Sequence, residues 1–136
     1  MSERIYVDTN IYLDYADVRT DGIRPLDELA FSIFQRTLSC EFEIVASDFV
    51  IEEILANLKN KTTFNLLVAE LKEKKKLIYV EATRQEFTEA KRSKNWTDTL
   101  HAIIAKRTNC KYIVTRNIVD FLKSSDILEP VLPEQL

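Results

Sequence analysis

Four short apolar runs punctuate the chain, at Ile5 to Val7, Glu43 to Ala46, Leu77 to Val80 and Lys111 to Thr115. Brief runs rich in β-branched and aromatic residues predict buried strands, whereas the longer stretches between them repeat apolar residues every three or four positions and predict helices. Helices are expected at Asn10 to Asp17, from Pro25 to about Leu38, on the segment carrying Ile51, Ile54, Leu55 and Leu58, onward to about Lys74, after Thr83, from Thr97 to Arg107 and from Asn117 to Leu122. The punctuation agrees. Asp21-Gly22-Ile23-Arg24-Pro25 reads as a turn holding the single glycine, with Pro25 suited to a first helical turn. Ser47-Asp48 can cap the helix that follows, and Thr83 with Glu86 forms a capping-box signature. A last edge strand within Pro130-Val131-Leu132-Pro133 is kept short by its prolines. Alternating strands and helices imply right-handed crossovers, hence one three-layer α/β domain over residues 1–136 with a central parallel sheet flanked by helices.

Composition narrows the function classes. A chain of 136 residues, 46% hydrophobic, buries one substantial core and is too short for two. The formal charge of −3 and pI near 5.3 advertise no polyanion partner, although acids that hold cations make such a protein look more acidic than it is when loaded. Cys40 and Cys110 lack any ligand-spaced Cys or His and read as two reduced thiols. Met1-Ser2-Glu3-Arg4 offers no signal-peptide core, and no stretch approaches the roughly 18 apolar residues of a membrane span. A soluble, cytoplasmic protein is expected.

The chemistry gathers at strand ends. Asp8-Thr9-Asn10 follows the first strand directly, and in a parallel sheet the residues beyond Val7 and beyond Thr115 share one edge, where ligands of open α/β sheets bind. On the helix from Thr97, Asp98 shares its side with Ala102 and Ala105, small neighbours that allow close approach to the sheet. Glu52 and Glu53 lie on opposite borders of their helix's apolar stripe, and periodicity does not choose between them. Asp120 sits on the short helix after the fourth strand. Carboxylates gathered without basic partners resist burial, so divalent cations are expected to complete the site, and oxygen-only donors point to Mg²⁺ or Mn²⁺.

Val7-Asp8-Thr9-Asn10, Ser47 to Ile54, Trp96-Thr97-Asp98-Thr99-Leu100-His101-Ala102, Ile113-Val114-Thr115-Arg116-Asn117 through Asp120-Phe121, and Pro133-Glu134 resemble, in order, the pieces of a PIN-domain ribonuclease of the VapC type, the toxin of toxin–antitoxin pairs. The resemblance implies sheet order 3-2-1-4-5, a metal-dependent endoribonuclease activity leaving 5′-phosphate and 3′-hydroxyl ends, and Glu53 rather than Glu52 in the acid position. Asp8, Glu53 and Asp98 are then expected to hold Mg²⁺, with Asp120 through water or Asn117 through its carbonyl as the fourth ligand. Many family members carry Asp at the position of Asn117, so a second metal site is left open. Thr9 and Asn10 are expected to orient Asp8, and Thr115 and Arg116 to meet phosphate unless Arg116 serves a surface ion pair. The implied partners are an RNA substrate, a small antitoxin protein and a second copy of the chain through the helices from Pro25 to Leu38 and Asp48 to Lys59.

Other residues carry blander expectations. His101, the only histidine, reads as structural rather than as a general base, and Trp96 as packing. The run Lys72 to Lys76 fits a helix C-terminus, with an RNA-backbone contact shared with Lys91, Arg92 and Lys94 as its rival. A receiver domain would end its third strand on Asp, where Val80-Glu81-Ala82 stands, and a haloacid-dehalogenase-like phosphatase would need Asp at Asn10. The remaining alternative is a catalytically inactive PIN-like RNA-binding or structural module.

Overall fold

A computed structural model describes residues 2–136, so Met1, the first residue of the N-terminal stretch read above, lies outside the described residues. The strands are β1 (Glu3–Val7), β2 (Phe42–Ser47), β3 (Leu77–Val80), β4 (Tyr112–Val114) and β5 (Pro130–Val131). The helices are α1 (Thr9–Ala16), α2 (Leu26–Leu38), α3 (Asp48–Asn57), α4 (Lys61–Glu73), α5 (Arg84–Ala90), α6 (Trp96–Arg107) and α7 (Ile118–Phe121), with short 3₁₀ turns at Leu122–Ser124 and Pro133–Gln135. All strand pairs are parallel and the sheet order is β3-β2-β1-β4-β5. That order reverses direction at β1. Right-handed crossovers therefore set α1 to α4 on one face and α5 to α7 on the other.

Ile5, Tyr6 and Val7 are all fully buried, because helices cover both faces of a central strand and alternation disappears. β1 begins at Glu3 rather than Ile5, and β4 is shorter than the Lys111 to Thr115 run, whose two end residues fall just outside it while their N–H groups still donate to Arg4 O and Val131 O. β5 is two residues long: Pro130 lacks an N–H, and the strand is held by Ile113 N–H donating to Glu129 O (3.1 Å) and Thr115 N–H to Val131 O (2.9 Å).

Helix ends are set by caps. Ser47 Oγ accepts from Val50 N–H at the start of α3, and Thr83 with Glu86 forms the expected capping box of α5. α1, α2, α4 and α6 each close on a residue with left-handed backbone, Val18 (φ 51°), Cys40 (71°), Lys75 (58°) and Asn109 (64°). None is glycine. After each, the next N–H turns back to a carbonyl of the last turn, as Glu41 does to Arg36 O (3.0 Å) and Arg19 to Asp14 O (3.0 Å). Cys40 is exposed and Cys110 buried, both as free thiols. No helix among the described residues is long and apolar enough to cross a membrane.

Candidate functional site

The reversal of strand order beside β1 opens a crevice at the C-terminal edge of the sheet, where ligands of open α/β folds bind. Asp8 stands there as N-cap of α1, its Oδ1 accepting from Thr9 N–H (2.8 Å) and its Oδ2 from Thr115 Oγ1 (2.9 Å). Both carboxylate oxygens are thus fixed from β1's own helix and from the end of β4. A cleft of about 250 Å³ is lined by Asp8, Thr9, Asn10, Glu53, Asp98 and Asn117 among the residues read from the sequence. It is also lined by Leu13, Arg19, Asn57 and His101.

α3 delivers Glu53 to this cleft and leaves Glu52 exposed on its outer side. Asp98 enters from the first turn of α6, and Asn117 from the loop after β4. Asp120 is exposed and does not line the cleft, yet its charge reaches Asp98. Thr115 is fully buried behind Asp8 rather than open to a substrate. Arg116 turns away: its Nε and Nη2 donate to Asp14 Oδ2 (2.5 Å) and Oδ1 (3.0 Å), a bidentate pair with a carboxylate only 1% exposed. Of the two roles expected for Arg116, the structure contains the ion pair, which supplies the counter-charge that the buried Asp14 on α1 needs.

The cation that lines the cleft is Arg19, whose Nη1 lies 3.4 Å from Asn10 Oδ1 and 3.9 Å from Asp14 Oδ1. The left-handed turn at Val18 brings it back along α1, so periodicity carried no signal for it. His101 is 2% exposed and bonds Glu53 through Nε2 (2.8 Å) and Tyr6 Oη through Nδ1 (2.6 Å). Its spacing from Asp98 puts both on one side of α6, a visible signal for proximity but not for its partners. Trp96 packs 5.8 Å from the Phe49 ring with Lys91 Nζ 5.4 Å over its own, as a packing residue does. Lys72 to Lys76 precedes β3 and so lies at the opposite end of the sheet, away from the cleft.

The carboxylates split by environment. Burial pushes the Asp8 carboxyl up, with Glu53 adding to it against the opposing hydrogen bonds from Thr115 and the Thr9 N–H. Asp98 is raised by burial and by the charges of Asp8, Asp120 and Glu53. For Glu53 burial also works against the charged form, but the donors His101 and Thr9 prevail and hold its pKa below the ordinary value. Two acids whose charged form burial disfavours and one stabilised as the anion form a set of oxygen donors of the kind a hard cation takes.

Among the described residues, no three His, Cys, Asp or Glu side chains already stand grouped closely enough to enclose a metal ion. A hydrated cation such as Mg²⁺ keeps several of its waters, and through them carboxylates that stand apart can share one ion without forming a closed protein cage. No protein-family model and no curated protein sequence matches the chain.

Proposed function

We propose that this chain is a Mg²⁺- or Mn²⁺-dependent endoribonuclease of the PIN-domain kind, the toxin of a toxin–antitoxin pair. The observation that carries the reading is that Asp8, Glu53 and Asp98, supplied by the end of β1, by α3 and by α6, line one cleft beside the strand at which the sheet order reverses. These three would hold the cation, with the Asn117 carbonyl or a water-linked Asp120 as a further donor. When bound, the cation supplies Lewis acidity, activating water for attack and offsetting charge on the transferring phosphate.

The chain's own groups do the positioning. Thr9 N–H and the Thr115 hydroxyl fix Asp8, while the Thr9 hydroxyl and His101 fix Glu53 at Oε1. Arg19, at the cleft wall, is placed to neutralise a non-bridging phosphate oxygen of RNA. Phe31 on α2 and Leu55 on α3 are 46% and 50% exposed, which suits an antitoxin or a second copy of the chain on those helices.

The test is cleavage of a mixed RNA pool by the purified chain with Mn²⁺ and with EDTA. Metal-dependent loss of full-length RNA is expected, and identical pools under both conditions would overturn the reading. A catalytically silent RNA-binding module is the second reading. It is favoured by the amide at Asn117 and by the lack, among the described residues, of a ready-made group of three acids. RNA bound but uncut in Mn²⁺ would select it.

A further inference from the structure

The most completely built surroundings in the cleft belong to Glu53. Its Oε1 takes two hydrogen bonds, from Thr9 Oγ1 (2.7 Å) and His101 Nε2 (2.8 Å), and among the described residues Oε2 takes none. Behind His101 the polar chain runs inward. Nδ1 lies 2.6 Å from Tyr6 Oη, which lies 2.7 Å from Ser47 Oγ, itself accepting from Val50 N–H at 3.0 Å. Tyr6 and Ser47 are fully buried and His101 nearly so.

Counting protons along this chain gives it one direction. Ser47 Oγ already accepts from Val50, and its own proton has Tyr6 Oη as the acceptor in reach. The Tyr6 proton is then aimed at Nδ1, which must be bare to receive it. At the far end a carboxylate has no proton to give, so the proton of the 2.8 Å contact belongs to Nε2. Burial also keeps Tyr6 protonated, raising its pKa well above the ordinary value. The sheet register makes the arrangement possible: Tyr6 pairs with Val45, so Ser47 two residues on points to the same face, toward α6.

We propose that His101 is a positioning residue, locked by Tyr6 and Ser47 as the neutral Nε2–H tautomer, which pins Glu53 through Oε1 and presents Oε2 to the cleft. That Oε2 then serves a divalent cation rests on the function proposed above; the tautomer does not. Outer partners of this kind fix the orientation of a ligating group, and their loss weakens metal binding about 10- to 100-fold.

Because His101 is the only histidine, ¹⁵N-histidine labelling of the untagged full chain reports two ring nitrogens and no others. At neutral pH the expected spectrum has a protonated Nε2 and a bare, hydrogen-bonded Nδ1, and Tyr6→Phe moves the Nδ1 signal while Nε2 keeps its proton. A protonated Nδ1 in the wild type, alone or with Nε2, overturns the proposal. Mn²⁺ affinity is the second readout. His101→Leu is expected to weaken it about 10- to 100-fold, and His101→Gln, whose amide N–H can replace Nε2–H, to recover most of the loss. A folded His101→Leu with wild-type affinity, or a Gln variant no better than Leu, contradicts the positioning role. If the wild type binds no Mn²⁺ at all, the proposed function fails, and the tautomer spectrum still decides the His101 assignment by itself.

Discussion

Replacing Arg116 with Met tests whether this side chain belongs to the fold or to the substrate. Asp14 is 1% exposed and accepts both Arg116 bonds, and Arg19 reaches it only at 3.9 Å. Removing Arg116 leaves a buried carboxylate nearly alone, a change that costs about 3 to 5 kcal/mol when the pair is fully buried. Arg116 is 25% exposed and Arg19 remains nearby, so screening brings the expected loss to roughly 2 to 3 kcal/mol. For a domain of this length each kcal/mol moves the Tm by about 3 to 5 °C. Urea unfolding of Arg116→Met should therefore show a lower midpoint at unchanged slope, and adding Asp14→Asn should restore at least half the loss, because the amide no longer needs a counter-charge. A variant within about 0.5 kcal/mol of wild type refutes the structural role and returns Arg116 to the candidates for phosphate binding.

Three other outcomes follow from the site and the helix ends. Glu53→Gln is expected to abolish metal-dependent cleavage and Glu52→Gln to leave it within about twofold, since Glu53 lines the cleft and Glu52 is exposed; the reverse order in a side-by-side RNA assay would sink the placement of α3. The Asp98 carboxyl is raised above its ordinary 3.8, so its charge penalises the folded state above the folded pKa and not below about pH 3.8. Asp98→Asn in EDTA should thus melt at or above wild type at neutral pH, with the advantage fading as the pH falls into that window. Mn²⁺ at about 10 to 100 times Kd should add roughly 1 to 3 kcal/mol to wild type and little to the variant, an equal shift in both being the contrary result. Val18→Gly should stabilise by up to about 1 kcal/mol in urea, because a β-branched residue at φ 51° loses roughly 1 to 2 kcal/mol of strain while glycine returns about 0.4 to 1 through the unfolded chain; a net loss contradicts the left-handed cap.

Topology was legible because short apolar runs separated by helical periodicity leave little besides a parallel sheet, and the acid beyond Val7 must then sit at its C-terminal edge. Asp98 was legible too, its face of α6 being marked by Ala102 and Ala105. Glu53 was not separable from Glu52 by periodicity, since one residue of helix rotation decides between cleft and solvent and both border the apolar stripe. Arg116 and Asp14 are 102 positions apart, and only the pairing of β1 with β4 brings their ends together. Tyr6 looked like an ordinary strand residue; its hydroxyl gains meaning once the register sets Ser47 on the same face and α6 lays His101 over both. Arg19 had no signal at all, because it enters the cleft through a left-handed Val18 that no turn-forming residue announces.

The central claim is that the Asp8 carboxylate, fixed by Thr9 and Thr115, serves a cation that cleaves RNA. Asp8→Asn keeps the shape of the side chain while removing its charge, so the variant should melt near wild type and still be folded. The decisive measurement is the initial rate of RNA cleavage in millimolar Mn²⁺ by wild type and Asp8→Asn at equal folded concentration, with the product ends identified. Cleavage by wild type leaving 5′-phosphates, and a loss of about 100-fold or more in the variant, is the predicted result. Equal rates, or no cleavage by either protein, contradict it.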